Sequence, residues 1–283
     1  QPSGRLVLRA FLPQAKSVAV VDRATGEVVA TLERVREEGL FAAAIDRRSA
    51  PFAYRLRLET ANGRIDIDDP YRFPPVLSDE DVQLLAEGDH FRSYDLLGAH
   101  PLTLDGVAGL AFAVWAPNAV RVSVIASFND WDGRRHGMRL RHDCGVWEIF
   151  IPGVGAGELY KYEIKTPTGV RLPDKCDPYA FFVEPSPGSA AIACDLSRHA
   201  WRDREWMQKR SMEDPRRRPI SVYQLHIGSW RRRPEEGNRP FTYRELADEL
   251  VGYLDYMAFT HVELLPINEF DFDASLGFQP FVP

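Results

Sequence analysis

The chain has 283 residues, 45% of them hydrophobic and 27% charged, with 35 basic against 41 acidic side chains and a net charge of −6. That length holds two or more globular domains, and the composition excludes a disordered or fibrous chain. The basic triplets Arg216–Arg218 and Arg231–Arg233 are short and flanked by Glu213, Asp214, Glu235 and Glu236, which argues against nucleic acid as a partner. No stretch is apolar for long enough to span a bilayer as a helix. Cys144, Cys176 and Cys194 leave one thiol over in any pairing and none lies in a C-x-x-C, so a reducing compartment without a structural zinc is expected. The chain opens on Gln1 with no signal-peptide pattern and stops at Pro283, which suggests a piece of a longer protein.

The first two thirds contain one plan twice. Residues 6–21 read LVLRAFLPQAKSVAVV and residues 110–125 read LAFAVWAPNAVRVSVI, so Pro13, Ala15, Val18 and Val20 align with Pro117, Ala119, Val122 and Val124 at an offset of 104. Gly39, Tyr54, Thr60 and Gly63 align with Gly145, Tyr160, Thr166 and Gly169 at 106, and Asp69-Pro-Tyr71 with Asp177-Pro-Tyr179 at 108. Both copies alternate as strands do: Val18–Val21 in the first, then Val120–Ile125, Trp147/Ile149/Ile151 against Glu148/Phe150, and Tyr160–Lys165 in the second. Asn62-Gly63 and Thr168-Gly169 are hairpin signals. Short strands at this spacing predict β-sandwiches.

Between the copies, Ser78 followed by Asp81 predicts a capped helix with Val82, Leu85 and Leu84 on its apolar side. A further helical turn is expected at Asp203–Gln208, and the charged, proline-flanked 213–219 reads as a linker. Ser221–Trp230 then reads as a strand and loop. Thr242-Tyr-Arg-Glu245 is a capping box, with a stripe at Leu246, Leu250 and Leu254 and Tyr243 one turn earlier. Val262–Leu265 is a short apolar strand, completing a βαβ unit. Alone, that unit is expected to leave Tyr223, Leu225, Val262, Leu264 and Leu265 partly wet and residues 221–283 loosely held.

These motifs carry a family resemblance that covers nearly the whole chain. Ser-Val-Tyr-Gln-Leu-His-Ile-Gly-Ser-Trp (221–230), the Phe241-Thr-Tyr-Arg-Glu-Leu-Ala247 helix start and Phe259-Thr-His-Val-Glu-Leu-Leu-Pro266 resemble the start of the catalytic barrel of 1,4-α-glucan (glycogen) branching enzymes. Phe128-Asn-Asp-Trp131, Gly145-Val-Trp-Glu-Ile-Phe-Ile-Pro-Gly153, Tyr160-Lys161 and Asp177-Pro-Tyr-Ala180 resemble the starch- and glycogen-associated binding module that precedes this barrel. The fold implied is mainly β. A first β-sandwich (1–77) is followed by a helical connector (78–105), a second, glycogen-binding-module-like, immunoglobulin-like sandwich (106–210) and a linker (211–220). The first βαβ unit of an incomplete (β/α)8 barrel (221–283) completes the chain.

The resemblance implies a cytoplasmic protein acting on α-1,4-glucan such as glycogen, with no metal or organic cofactor. Oligomeric state is not legible. Trp131 matches a sugar-stacking position and Lys161 a hydroxyl donor, because an indole suits the apolar face of glucose. The other reading makes the Phe-Asn-x-Trp turn a packing element between module and barrel. A second tryptophan of the relatives is replaced by Val170-Arg171, and an asparagine is replaced near Gly188-Ser189. In the first copy, Val21–Ala24 stands where the aromatic turn would fall, so that copy is expected to lack a sugar platform.

The family's chemistry is a double displacement at two carboxyl groups, the 6-hydroxyl of a second glucan replacing water. A whole barrel takes eight strands and roughly 250 residues. The nucleophilic Asp, the acid/base Glu and a third Asp lie on later strands, and the 63 residues from Ser221 to Pro283 hold none of them. Enzymatic action by these residues alone is therefore not expected, and a glucan-binding or scaffold role is the alternative. Phe278-Gln279 matches a donor-sugar loop, with Phe278 in place of a tyrosine whose hydroxyl would bond the sugar. Glu269, Asp271 and Asp273 read as exposed acidic loop residues, and His226 as structural.

Overall fold

The computed structural model describes residues 6–46, 50–185, 187–268, 270 and 276–280, in which the chain falls into two compact units, Gln1–Glu184 with Ala190–Asp195, and Pro185–Ser189 with Leu196–Pro283.

Unit one begins with β1 (Leu6–Phe11), β2 (Ala15–Asp22), β3 (Val28–Arg36), β4 (Leu40–Ile45), β5 (Tyr54–Thr60) and β6 (Gly63–Asp68), an antiparallel sheet in the order β1-β4-β3-β2-β5-β6. Strand β3 passes from one layer to the other, since Val28–Leu32 pairs with β2 and Glu33–Arg36 with β4. Leu8, Val18, Val20, Leu32, Phe41, Ile45, Leu56 and Leu58 fill the core between the layers. The connector forms α1 (Asp79–Glu87), where Ser78 and Asp81 make the expected reciprocal cap and Val82 is buried.

The second copy follows as β7 (Gly98–Leu104), β8 (Val107–Trp115), β9 (Arg121–Ala126), β10 (Arg139–Arg141), β11 (Val146–Pro152), β12 (Leu159–Lys165) and β13 (Ala191–Ile192). Sheets β10-β11-β8-β7 and β13-β12-β9 enclose Leu110, Phe112, Val114, Val122, Val124, Trp147, Ile149, Ile151, Tyr160 and Tyr162.

The register of the two copies reproduces the offsets of the sequence. Leu6↔Ile45 of β1 and β4 recurs as Leu110↔Ile151 of β8 and β11. Val18↔Leu58 of β2 and β5 recurs as Val122↔Ile164 of β9 and β12. A backbone crossing recurs too: Leu12 N–H donates to Gly39 O (2.8 Å) and Ala116 N–H to Gly145 O (3.1 Å). Both glycines have positive φ, 101° and 72°, and an added Cβ would fall 2.4 Å from Pro13 Cα or 2.7 Å from Pro117 Cβ. Only glycine satisfies both demands.

The deepest shared feature is polar. Tyr54 OH donates to Asp69 Oδ2 (2.6 Å), and Tyr71 N–H to Asp69 Oδ1 (2.9 Å). In the second copy Tyr160 OH (2.7 Å) and Tyr162 OH (2.9 Å) donate to Asp177 Oδ2, and Tyr179 N–H to Oδ1 (2.8 Å). Asp69 and Asp177 are both buried. Burial pushes each carboxyl up from the ordinary range, and the donated hydrogen bonds oppose that rise.

The sheet of β8 and β11 is covered on both faces. Glu148, on the side away from the sandwich core, is buried, and its Oε2 accepts from Val76 N–H (2.7 Å) and Leu77 N–H (2.9 Å). Arg141 donates to Glu148 Oε1 (3.0 Å) and to Leu77 O (2.7 Å), and the Phe73 ring meets Phe150 at 4.7 Å. The chain before α1 is thereby pinned to the second sandwich.

Unit two contains α2 (Arg204–Ser211), β14 (Val222–His226), α3 (Ile227–Trp230), β15 (Arg232–Arg233), β16 (Arg239–Pro240), α4 (Tyr243–Tyr256) and β17 (His261–Leu265). Strands β14 and β17 pair in parallel, Leu225 facing Leu264, with α4 as the crossover. Thr242 and Glu245 make the expected capping box, and Arg239 grips the same Glu245 carboxylate through both oxygens (2.9 and 3.0 Å). Leu246 and Leu250 bury Leu225, which corrects the expectation that Leu225 stays wet; Val262 is exposed, and Tyr223, Leu264 and Leu265 are half-buried. Tyr243 lies outside the packed stripe and is exposed. Glu269, Asp271 and Asp273 lie outside the described residues.

Replacing Asp177 by alanine strands two buried tyrosine hydroxyls and a backbone N–H. We expect a loss of about 3 kcal/mol in urea unfolding; unchanged stability would contradict the role assigned to this carboxylate.

Candidate glycan-binding surface

Strand β9 ends in the turn Ala126–Trp131, which is built around a buried amide. Asn129 Oδ1 accepts from Ala126 N–H (2.9 Å), while its Nδ2 donates to Val124 O (2.9 Å) and to His136 Nδ1 (2.8 Å). These partners fix the amide's orientation and make Nδ1 of His136 an acceptor, so the proton of the neutral ring sits on Nε2. Burial, with Arg135 beside it, pushes His136 down to about 4. Phe128 packs against the sandwich core and edge-on to His136 at 5.5 Å.

The turn throws Asp130 and Trp131 into left-handed backbone, both with φ of 57°. A tryptophan accepts that conformation only where its surroundings hold it there. Trp131 N–H donates to Ala126 O (2.9 Å), and the indole is 40% exposed. Beyond it, Arg134 donates to the Asp132 carboxylate (2.7 Å), which holds that acid at about 2. The first β-domain also reaches this loop: Tyr71 OH donates to Arg135 O (3.3 Å), and the Arg134 guanidinium lies 5.3 Å from the Phe11 ring centre.

Trp131 forms part of the wall of a shallow cavity of about 290 Å³ between this loop and the Thr168-Gly169 hairpin. The remaining wall is polar, with Arg121, Glu163, Lys165 and Arg171. Arg121 and Arg171 flank the Glu163 carboxylate at 3.5 and 3.2 Å, and Arg121 also donates to Gly133 O. The cavity therefore offers one indole face with charged hydrogen-bonding groups around it.

Lys161 shares the outward face of β12 with Glu163 and Lys165, since Tyr160, Tyr162 and Ile164 turn inward, but it lies outside this wall. Arg121, Glu163 and Lys165 were not picked out from the sequence. Strand alternation alone would have placed them on one face, but not beside Trp131. The corresponding turn of the first copy is an Asx turn, Asp22 Oδ1 accepting from Ala24 N–H (2.8 Å), with no aromatic in it.

In unit two, Phe278 is exposed, with its ring nearly parallel to that of His226 (6.4 Å, 16°), while His226 Nε2 lies 2.9 Å from Leu276 O and Nδ1 2.9 Å from Ser229 Oγ. Gln279 is exposed beside it. Among the described residues, no group of three or more His, Cys, Asp or Glu is arranged to hold a metal ion, and no helix is long and apolar enough to cross a membrane.

Comparison with known proteins bears on what this surface belongs to. The family described as alpha-1,4-glucan branching enzyme GlgB, N-terminal domain, matches residues 1–71, and carbohydrate-binding module 48 (isoamylase N-terminal domain) matches residues 96–180, which include Trp131 and Lys161. The 1,4-alpha-glucan branching enzyme GlgB of Roseobacter denitrificans is 51% identical over 98% of this chain and 38% of its own length. That of Rubrobacter xylanophilus is 54% identical over 99% of this chain and 38% of its own length. Over nearly its whole length, the chain is similar to the N-terminal portion of GlgB proteins. It spans a little over a third of the length of these curated GlgB relatives. Among solved structures, GBS pullulanase SAP in complex with maltotetraose gives a TM-score of 0.43 at 15% identity, covering 94% of this chain and 35% of that one, a likeness too loose to decide anything further.

The neutral His136 makes a testable demand. Its folded value, about 4, lies below the unfolded value near 6.5. The unfolded chain therefore takes up a proton first as pH falls. His136's contribution is complete above about 6.5 and is lost as pH falls toward 4, roughly 3 kcal/mol in all. Urea unfolding across that window should show this loss in the wild type and much less of it in His136→Gln. Equal pH dependence in the two would contradict the assignment.

Proposed function

We propose that the second β-domain of this chain holds an α-1,4-glucan, and that the longer GlgB-type protein transfers α-1,4 segments to α-1,6 branch points in glycogen. The transfer is proposed for that longer protein, whose catalytic carboxylates the family resemblance places on later strands. For these 283 residues the role is to hold the polymer. A cytoplasmic location accords with the three free cysteines.

The observation that carries the reading is the exposed Trp131 indole, set in left-handed backbone at the rim of a cavity otherwise lined by charged hydrogen-bonding groups. A glucose ring presents an apolar face to an indole and hydroxyls to such a rim. Lys161, on the same strand face, is proposed as a donor to a chain lying across β12. Phe278 and Gln279 are proposed as part of the donor-sugar loop, braced by His226 through Leu276 O. The proposed division follows these roles: paired β-domains with their connector through residue 210, a linker to 220, and the start of the barrel from 221.

Affinity electrophoresis in gels with and without glycogen tests this. The chain is expected to be retarded by glycogen, and Trp131→Ala to migrate as though glycogen were absent. A folded Trp131→Ala chain that is still retarded would refute the platform. A folded wild-type chain that is not retarded would leave Trp131 with a packing role.

A further inference from the structure

A second cavity, of about 300 Å³, lies within unit one where the two β-copies meet, and the proposed function does not use it. One wall is apolar: Phe11 and Leu12 from the first copy face Ile151, Pro152 and Val154 from the second. The other is polar, with Gln14, Asp68, Asp69, Arg134, Arg135 and His136.

The polar groups differ in how far they are already engaged. Asp68 is met by Arg72 at 3.0 Å, Arg55 at 3.3 Å and Arg23 at 3.5 Å. Asp69 accepts from Tyr54 and Tyr71. Arg134 is occupied by Asp132. One buried donor of this lining is left over among the described residues. Arg135 Nη1 pairs with Asp130 Oδ2 at 2.8 Å, while its Nε has no hydrogen-bond partner and lies 3.9 Å from Asp132 Oδ2. His136 lines the same wall, its Nδ1 already accepting from Asn129 Nδ2. A buried donor without an acceptor is costly, so the site favours a ligand that supplies acceptor oxygens.

Charge narrows the class. The carboxylates of Asp68 and Asp69 line the same space and disfavour an anion, while both are already satisfied and leave no vacancy for a cation. A neutral ring with an apolar face and several hydroxyls meets both walls. We propose that this cavity is a second saccharide site, next to the Trp131 surface with which it shares Arg134, that takes one or two glucosyl rings. Its volume lies near the lower end for ligand sites, about 300 Å³, which suits a chain end or a free disaccharide better than the middle of a polymer. The glucan reading enters only in the choice of maltose as probe, and the Trp131→Ala variant separates this cavity from the Trp131 surface.

Titration of the whole 283-residue chain with maltose, followed by the imidazole resonances of His136, tests the proposal. The expected result is a saturable shift in the wild type and in Trp131→Ala. Filling the cavity from the exposed position 14, with Gln14→Trp, should weaken that response about tenfold or more. Val154→Trp, on the opposite wall, serves as a second blocking variant should the first fail to fold. A folded wild type whose His136 resonances ignore maltose overturns the proposal. So does a shift that vanishes in Trp131→Ala and survives both blocking variants.

Discussion

The rest of unit one hangs on two buried carboxylates. Asp69 and Asp177 each close a β-copy, Asp69 by taking a hydrogen bond from Tyr54 of β5 and Asp177 from Tyr160 and Tyr162 of β12, and both from the backbone of the Asp-Pro-Tyr turn that follows. A buried charge is tolerated only where donors surround it. That demand fixes where the chain after β5 or β12 must go, and with it what each turn delivers. In the first copy the turn delivers Tyr71 to the loop of Trp131 and Phe73 to the back of β11. In the second it delivers Tyr179, whose backbone N–H completes the set around Asp177.

The Phe128–Trp131 turn is held from inside by the Asn129 amide and the neutral His136, and from outside by Tyr71 and Phe11 of the first copy. The first copy has an Asx turn at the equivalent place. Duplication therefore leaves one copy presenting an aromatic and the other bracing it. Unit two shows the same logic on a smaller scale, where Glu245 both caps α4 and takes the Arg239 guanidinium, tying the helix start to β16.

Much of this was legible in residue spacing. The offsets of 104 and 106 carry the strand register because a β-strand's two-residue period leaves little freedom once one face is buried. Both capping boxes followed from local chemistry, Ser78 with Asp81 and Thr242 with Glu245. Glu148 was placed on the correct face of β11, but its burial was not foreseen, since the partners that satisfy it, Val76 and Leu77, come from a segment with no periodic signal. Asn129 and His136 were hidden for the same reason: an amide that bonds backbone five residues away looks like any turn asparagine. Leu225 was expected to be wetter than it is because one amphipathic helix covers more of a two-stranded sheet than strand counting suggests.

The central claim is that an α-glucan lies against Trp131. Indole N–H resonances of the six tryptophans, recorded during titration with maltoheptaose, test it directly. The Trp131 signal is expected to move first and saturate, while that of Trp147, whose Nε1–H is tied to Ala116 O, stays in place. A still Trp131 signal with movement at Trp201, Trp206 or Trp115 would contradict it and place the glucan elsewhere.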